Sequence, residues 1–136
     1  MSFLLDTNVV SELRKQERTN PGVARWIASV EERDLFLSVL VVGELHQGVD
    51  WLRRRDPIAA RRLARWLATL TESYAERLLP VDLAVATLWG ALNVPDPLPV
   101  VEGLLASTAI IHDLTLVTRN TGDVVRTGVR LLNPFE

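Results

Sequence analysis

The chain contains no cysteine and a single lysine, Lys15. The first absence removes disulfides, thiol nucleophiles and thiolate metal sites, and it suits a reducing compartment such as the cytoplasm. The second means that positive charge is almost all arginine. No apolar run approaches the ~20 residues of a membrane-spanning helix. The apolar pattern begins at Phe3, so no signal peptide is expected. An excess of basic charge is missing too, the net charge being −2. Proteins that hold nucleic acid by bulk electrostatics are usually strongly basic. Any attraction of this chain for nucleic acid must therefore be local or carried by a bound cation. G-x-G-x-x-G, P-loop and G-x-S-x-G motifs are also absent, which leaves nucleotide cofactors and α/β-hydrolase chemistry unsupported.

What is present is a chain of 136 residues, 48% hydrophobic and 24% charged. It reads as one globular domain over residues 1–136, long enough to bury a core. Residues 2–5 and 34–39 read as strands, as do 77–81, 114–118 and 129–132. Between them lie helices at about 7–14, 21–30, 39–54, 57–70, 83–92 and 100–111. Their starts are signalled by Asn20-Pro21, Ser38, Asp56-Pro57 and Asp82 as caps. The last helix, "VVEGLLASTAII", is apolar nearly all round and is expected to be buried. Short apolar strands alternating with helices imply an α/β fold, a parallel sheet of four to five strands covered on both faces. Ligands bind such sheets beyond the carboxyl ends of the strands, where strand order reverses.

Four acids draw attention by where they fall. Asp6 ends the apolar run Phe3-Leu4-Leu5; as an isolated residue it reads equally well as a helix N-cap. Glu44 lies in a helix with Leu40, Val41 and Gly48 on its own face, an apolar setting that is expensive for an unpartnered carboxylate. Glu102 sits in the first turn of the apolar helix, where the helix dipole alone could explain it. Asp123 follows Asn120-Thr121-Gly122, ordinary turn chemistry when taken singly. Together they suggest a pocket of carboxylates. Such groups repel one another unless a cation intervenes, and oxygen ligands select Mg²⁺ or Mn²⁺. His46 does not share a helix face with Glu44, and His112 reads as a helix C-terminal residue. A phosphoacceptor receiver domain, a signalling module, needs a late lysine. A haloacid-dehalogenase-type phosphatase needs that lysine and an Asp two residues after Asp6. The chain has Asn8 there and no lysine after Lys15.

At this point the chain resembles the PIN-domain ribonucleases, specifically the VapC-type toxins of bacterial toxin–antitoxin pairs. The resemblance rests on "LLDTNVVSEL" at 4–13, "LSVLVVGELHQGV" at 37–49, "PLPVVEGLLASTA" at 97–109, "LTLVTRNTGDV" at 114–124 and "LLNPF" at 131–135, in that order and spacing. It implies a three-layer α/β/α domain whose metal-binding and catalytic acids are Asp6, Glu44, Glu102 and Asp123. Thr7, Thr118 and Asn120 match polar positions lining that pocket, and Arg119 is placed either to meet a phosphate or to form a structural ion pair. The implied activity is Mg²⁺- or Mn²⁺-dependent endoribonuclease. The implied partners are an RNA substrate, a second copy in a homodimer and a VapB-type antitoxin through which operator DNA is reached. One departure stands out: Glu102 occupies a position where the family normally has Asp. Its extra methylene moves the carboxylate by roughly an ångström in a site type that tolerates about half that. It is the sequence basis of a second expectation, a weakened PIN domain working mainly through its antitoxin. The arginine-rich stretch 53–65 could bind RNA or acidic protein, but a solvated helix face is the expectation. Trp26, Trp51, Trp66 and Trp89 are all expected in helices, most of them core.

Overall fold

The computed structural model describes all of residues 1–136. The chain runs β1 (Phe3–Leu5), α1 (Thr7–Leu13), α2 (Pro21–Ser29), β2 (Leu35–Ser38), α3 (Val39–Arg53) and α4 (Pro57–Ser73). It continues β3 (Leu78–Leu79), α5 (Leu83–Leu92), α6 (Val100–Ile111), β4 (Thr115–Val117) and β5 (Leu131–Leu132). The expected caps all form. Asp6, Asn20, Ser38, Asp56 and Asp82 each accept a hydrogen bond from a backbone N–H of the helix they open. This satisfies donors that a helix start otherwise leaves unpaired.

The five strands form one parallel sheet in the order β3-β2-β1-β4-β5. The chain moves outward from β1 through β2 to β3, then crosses back to place β4 on the other side of β1. Strand order therefore reverses between β1 and β4. Right-handed crossovers put α1–α4 on one face and α5 and α6 on the other, giving three layers. Leu4, Leu5, Leu37, Leu116 and Val117 fill the centre and are buried. They make the strands apolar on both faces, as a doubly covered sheet requires.

Two expectations change. The helix α6 is buried only in its middle. Gly103 and Leu105 through Ala109 are covered, whereas Val100, Ile110 and Ile111 are exposed. The sheet and α5 cover its central turns and leave its two ends to solvent. The tryptophans are mostly peripheral. Trp26 meets Phe3 edge-on, ring centroids 5.2 Å apart, and Trp66 packs on the margin of the core. Trp89 is half-buried with its indole N–H unpaired, and Trp51 is 64% exposed. A helical period locates an apolar stripe, but it does not say which stripe another element covers.

Candidate metal centre

The register decides where the site lies. Leu5 pairs with Val117, so Asp6 and Thr118 are the next residues on two neighbouring strands, at the carboxyl edge where strand order reverses. The Asp6 N–H still donates to the Val117 carbonyl, at 2.9 Å, before the chain turns into α1. Asp6 is buried, 5% exposed. Its Oδ1 accepts from the Thr7 N–H at 2.7 Å, and its Oδ2 accepts from the Thr118 hydroxyl at 2.7 Å. The Thr118 hydroxyl oxygen in turn accepts the Asn120 N–H at 3.0 Å. Asn8 completes the set. Its Nδ2 approaches Asp6 Oδ2 at 3.5 Å and Thr118 Oγ1 at 3.4 Å, and its Oδ1 accepts the Arg119 N–H at 3.3 Å. Asp6 is thus both a helix cap and the centre of a buried polar network, and the two readings of it are compatible.

Glu44 reaches the same place from α3. The Thr7 hydroxyl donates to its Oε1 at 2.5 Å, a short charge-assisted bond. Thr7 therefore bonds both carboxylates, Asp6 through its N–H and Glu44 through its hydroxyl. The surroundings of Glu44 differ from expectation. It is half-buried, and a Cβ built on Gly48 would meet nothing within 4 Å. The face is an open groove, which explains how a carboxylate is tolerated there.

The other two acids are placed by topology. The helix α6 leads directly into β4 and so runs antiparallel to it, which brings its first turn, with half-buried Glu102, to the carboxyl edge of the sheet. Asp123 is exposed in the short turn after β4, its N–H donating to the Asn120 carbonyl at 3.2 Å. Arg126 ties these two regions together. Its guanidinium donates to the Leu92 carbonyl at 3.2 Å and to the Asp96 carbonyl, both at the loop between α5 and α6. Element order thus directs all four acids toward the carboxyl side of the sheet. Only Asp6 and Glu44 are linked, and no three acidic or imidazole side chains converge as a ready cation cage.

The donor chemistry suits a hard divalent ion. The candidate donors are oxygens, those of the carboxylates foremost, because cysteine is absent, His46 is exposed on α3 and His112 caps the far end of α6. Magnesium commonly retains several waters and takes one or two protein carboxylates, so a linked pair is a workable start.

Arg119 forms no ion pair; its guanidinium lies 3.9 Å from the Phe135 ring centroid. Three features were not singled out in the sequence. Asn8 belongs to the polar network, and its place two residues after Asp6 is its only signal. Arg14 lines the groove beside Thr7 and Glu44, with no signal beyond charge, and is joined there by Arg55 of the arginine-rich stretch. Glu12 is buried, accepting from Lys15 Nζ at 2.9 Å and from the Asn20 N–H at 2.7 Å. The lysine contact foremost, then the Asn20 N–H, hold its carboxyl below the usual range against the opposing effect of burial.

A PIN-domain family model matches residues 3–128. Toxin FitB of Neisseria gonorrhoeae is 34% identical over 141 residues, covering 98% of both chains. VapC ribonuclease Y4jK of Sinorhizobium fredii is 31% identical over 141 residues, again covering 98% of both. A solved structure described as FitAB bound to an IR36 DNA fragment superposes with a TM-score of 0.88 at 29% identity, covering 98% of this chain and 96% of the other.

Proposed function

The chain belongs to the PIN-domain family, and on that premise we propose that it is a divalent-metal-dependent endoribonuclease, the toxin half of a VapBC-type pair. The observation that carries the reading is the linked pair of carboxylates, Asp6 and Glu44, at the point where strand order reverses. In this reading Asp6, Glu44, Glu102 and Asp123 hold Mg²⁺ or Mn²⁺. The ion supplies charge neutralisation on a phosphodiester and lowers the pKa of water. Thr118 and the Thr7 N–H fix the Asp6 carboxylate, and the Thr7 hydroxyl fixes Glu44. Asn8 and the Asn120 N–H hold Thr118 in register. Arg119, braced on Phe135, offers a cation to a phosphate oxygen. No protein nucleophile is required. The protein would work in the cytoplasm as a single-domain homodimer, with a VapB-type antitoxin as its inhibitor and its route to operator DNA.

A second reading is favoured by one observation. Glu102 and Asp123 are not gathered with the linked pair, and Glu102 carries the longer side chain. A weakened PIN domain acting through its antitoxin would look the same. Two measurements separate the readings: anomalous diffraction from crystals soaked in Mn²⁺, and cleavage of a fluorescent RNA by the parent chain and by Asp6→Asn. Manganese among the four acids and cleavage lost only in the variant support the nuclease. No manganese and no cleavage by the parent chain support the binding module.

A further inference from the structure

The segment after β5 leaves the sheet at the edge where the acid pair lies, and the register sets its course. Leu132 pairs with Val117, and its carbonyl accepts the Thr118 N–H at 3.0 Å. Asn133 therefore emerges level with the strand end that carries Thr118 and Arg119. Its Oδ1 accepts the Phe135 N–H at 3.0 Å, which folds residues 133–135 into a tight turn. Pro134 is buried, and its carbonyl oxygen lies so close to Gly22 that a Cβ there would clash with it. The turn is thus wedged against the first turn of α2. That helix start is held in its own right, because Asn20 caps it with its side chain and donates its N–H to Glu12 of α1. The ring presented by this assembly, Phe135, lies against the Arg119 guanidinium, 3.9 Å from ring centroid to the guanidinium carbon.

Arg119 is rooted beside the site. Its N–H donates to Asn8 Oδ1, and the Asn8 amide approaches Asp6 Oδ2. Its side chain is exposed and has no carboxylate at ion-pair distance. A free arginine loses rotamer entropy whenever it must act from one position. A carboxylate partner would hold it but cancel its charge, whereas an aromatic face holds it and leaves its N–H groups free for a phosphate oxygen. We propose that the turn at residues 133–135 is a positioning element of the candidate site: Phe135 keeps the Arg119 guanidinium in place, with its charge uncompensated, for the phosphate under attack. The proposal rests on the ribonuclease reading and adds a segment that touches neither the metal ligands nor the substrate. Phe135 acts only through Arg119, so its loss is felt in kcat and vanishes once Arg119 is gone.

A double-mutant cycle on the full chain tests this, with Mn²⁺ and a fluorescent RNA, at a temperature where circular dichroism shows every variant folded. Arg119→Gln should lower kcat about a hundredfold with KM little changed, the scale of one lost transition-state donor. Phe135→Leu should lower kcat about three- to tenfold, the scale of one cation–π contact, and Phe135→Tyr should restore it. In the Arg119→Gln background, Phe135→Leu should change nothing further. A second readout needs neither metal nor RNA. The Arg119 side-chain protons, identified in NMR spectra by their loss in Arg119→Gln, should be shifted upfield by the ring in the parent and in Phe135→Tyr, and return to the ordinary arginine position in Phe135→Leu. An equal kcat fall on losing Phe135 in both backgrounds, an unchanged kcat in Phe135→Leu, or no upfield shift in the parent would overturn the proposal and leave the nuclease reading standing. A parent that shows the shift but cleaves no RNA removes the nuclease reading and this role with it.

Discussion

Gly22 offers a sharp test of the packing behind the site. It lies in the first turn of α2, and a Cβ added there would come 2.3 Å from the Pro134 carbonyl oxygen and 3.4 Å from the Phe135 carbonyl carbon. Real Cβ atoms keep at least 3.0 Å from such a neighbour. The obstacle is backbone, so the C-terminal segment would have to retreat by ~0.7 Å in a close-packed setting. Overpacking of that kind costs about 1–3 kcal/mol. Alanine recovers part of it through its better helix propensity, less than ~1 kcal/mol in a first turn. The expected net loss for Gly22→Ala is then about 1–2 kcal/mol, or a fall in Tm of roughly 4–8 °C for a chain of this size. Gly43→Ala is the control. Gly43 is exposed within α3 and a Cβ there meets nothing within 4 Å, so that variant should gain about 0.5–1 kcal/mol. Urea unfolding followed by tryptophan fluorescence measures both. The displacement should also reach function, because Phe135 carries the Arg119 guanidinium. If Gly22→Ala proves as stable as the parent, or is stabilised like Gly43→Ala, the close approach of α2 and the C-terminal segment is wrong.

Other predictions are independent of that contact. Asp6→Asn should lower RNA cleavage by about a hundred- to a thousandfold, the scale of losing one preorganised group, with an unchanged far-UV circular dichroism spectrum; full activity would remove Asp6 from the site. Arg126→Ala should weaken Mn²⁺ binding several-fold in calorimetry by untying the Asp123 turn from the loop that leads to Glu102, and Tm should move by no more than about 4 °C, since an exposed polar contact is worth about 1 kcal/mol at most; unchanged Mn²⁺ affinity would make Arg126 a surface contact only. Glu12 predicts a pH dependence. Its folded pKa lies below the unfolded value near 4.5, so its stabilisation is present above that value and is lost as pH falls through the folded one. Glu12→Gln should therefore lower the urea midpoint at neutral pH, and the gap should close in acid; a gap independent of pH would refute the Lys15 and Asn20 contacts as its cause.

Much of this was legible in the sequence because it depends on local chemistry. The caps at Asp6, Asn20, Ser38, Asp56 and Asp82 are short-range hydrogen bonds between a side chain and the next turn, and residue type with spacing suffices to find them. The apolar strands and their alternation with helices follow from the need to bury both faces of a parallel sheet. From these, Asp6 could be placed at a strand's carboxyl end. What the sequence could not supply was the pairing of β1 with β4 and its register, which sets Asp6 beside Thr118, 112 positions further along the chain. The Thr7–Glu44 bond is of the same kind, joining residues 37 positions apart. Coverage was equally out of reach, which is why Trp51 and the ends of α6 proved exposed and Glu12 buried. That Arg55, out of a run of similar arginines, lines the groove beside Glu44 depends on how α4 lies against α1 and α3. Local bonding and the period of the apolar residues are written into the order of side chains. Which surfaces meet is decided by the packing of elements far apart in sequence, and the shape of the site is a property of that packing.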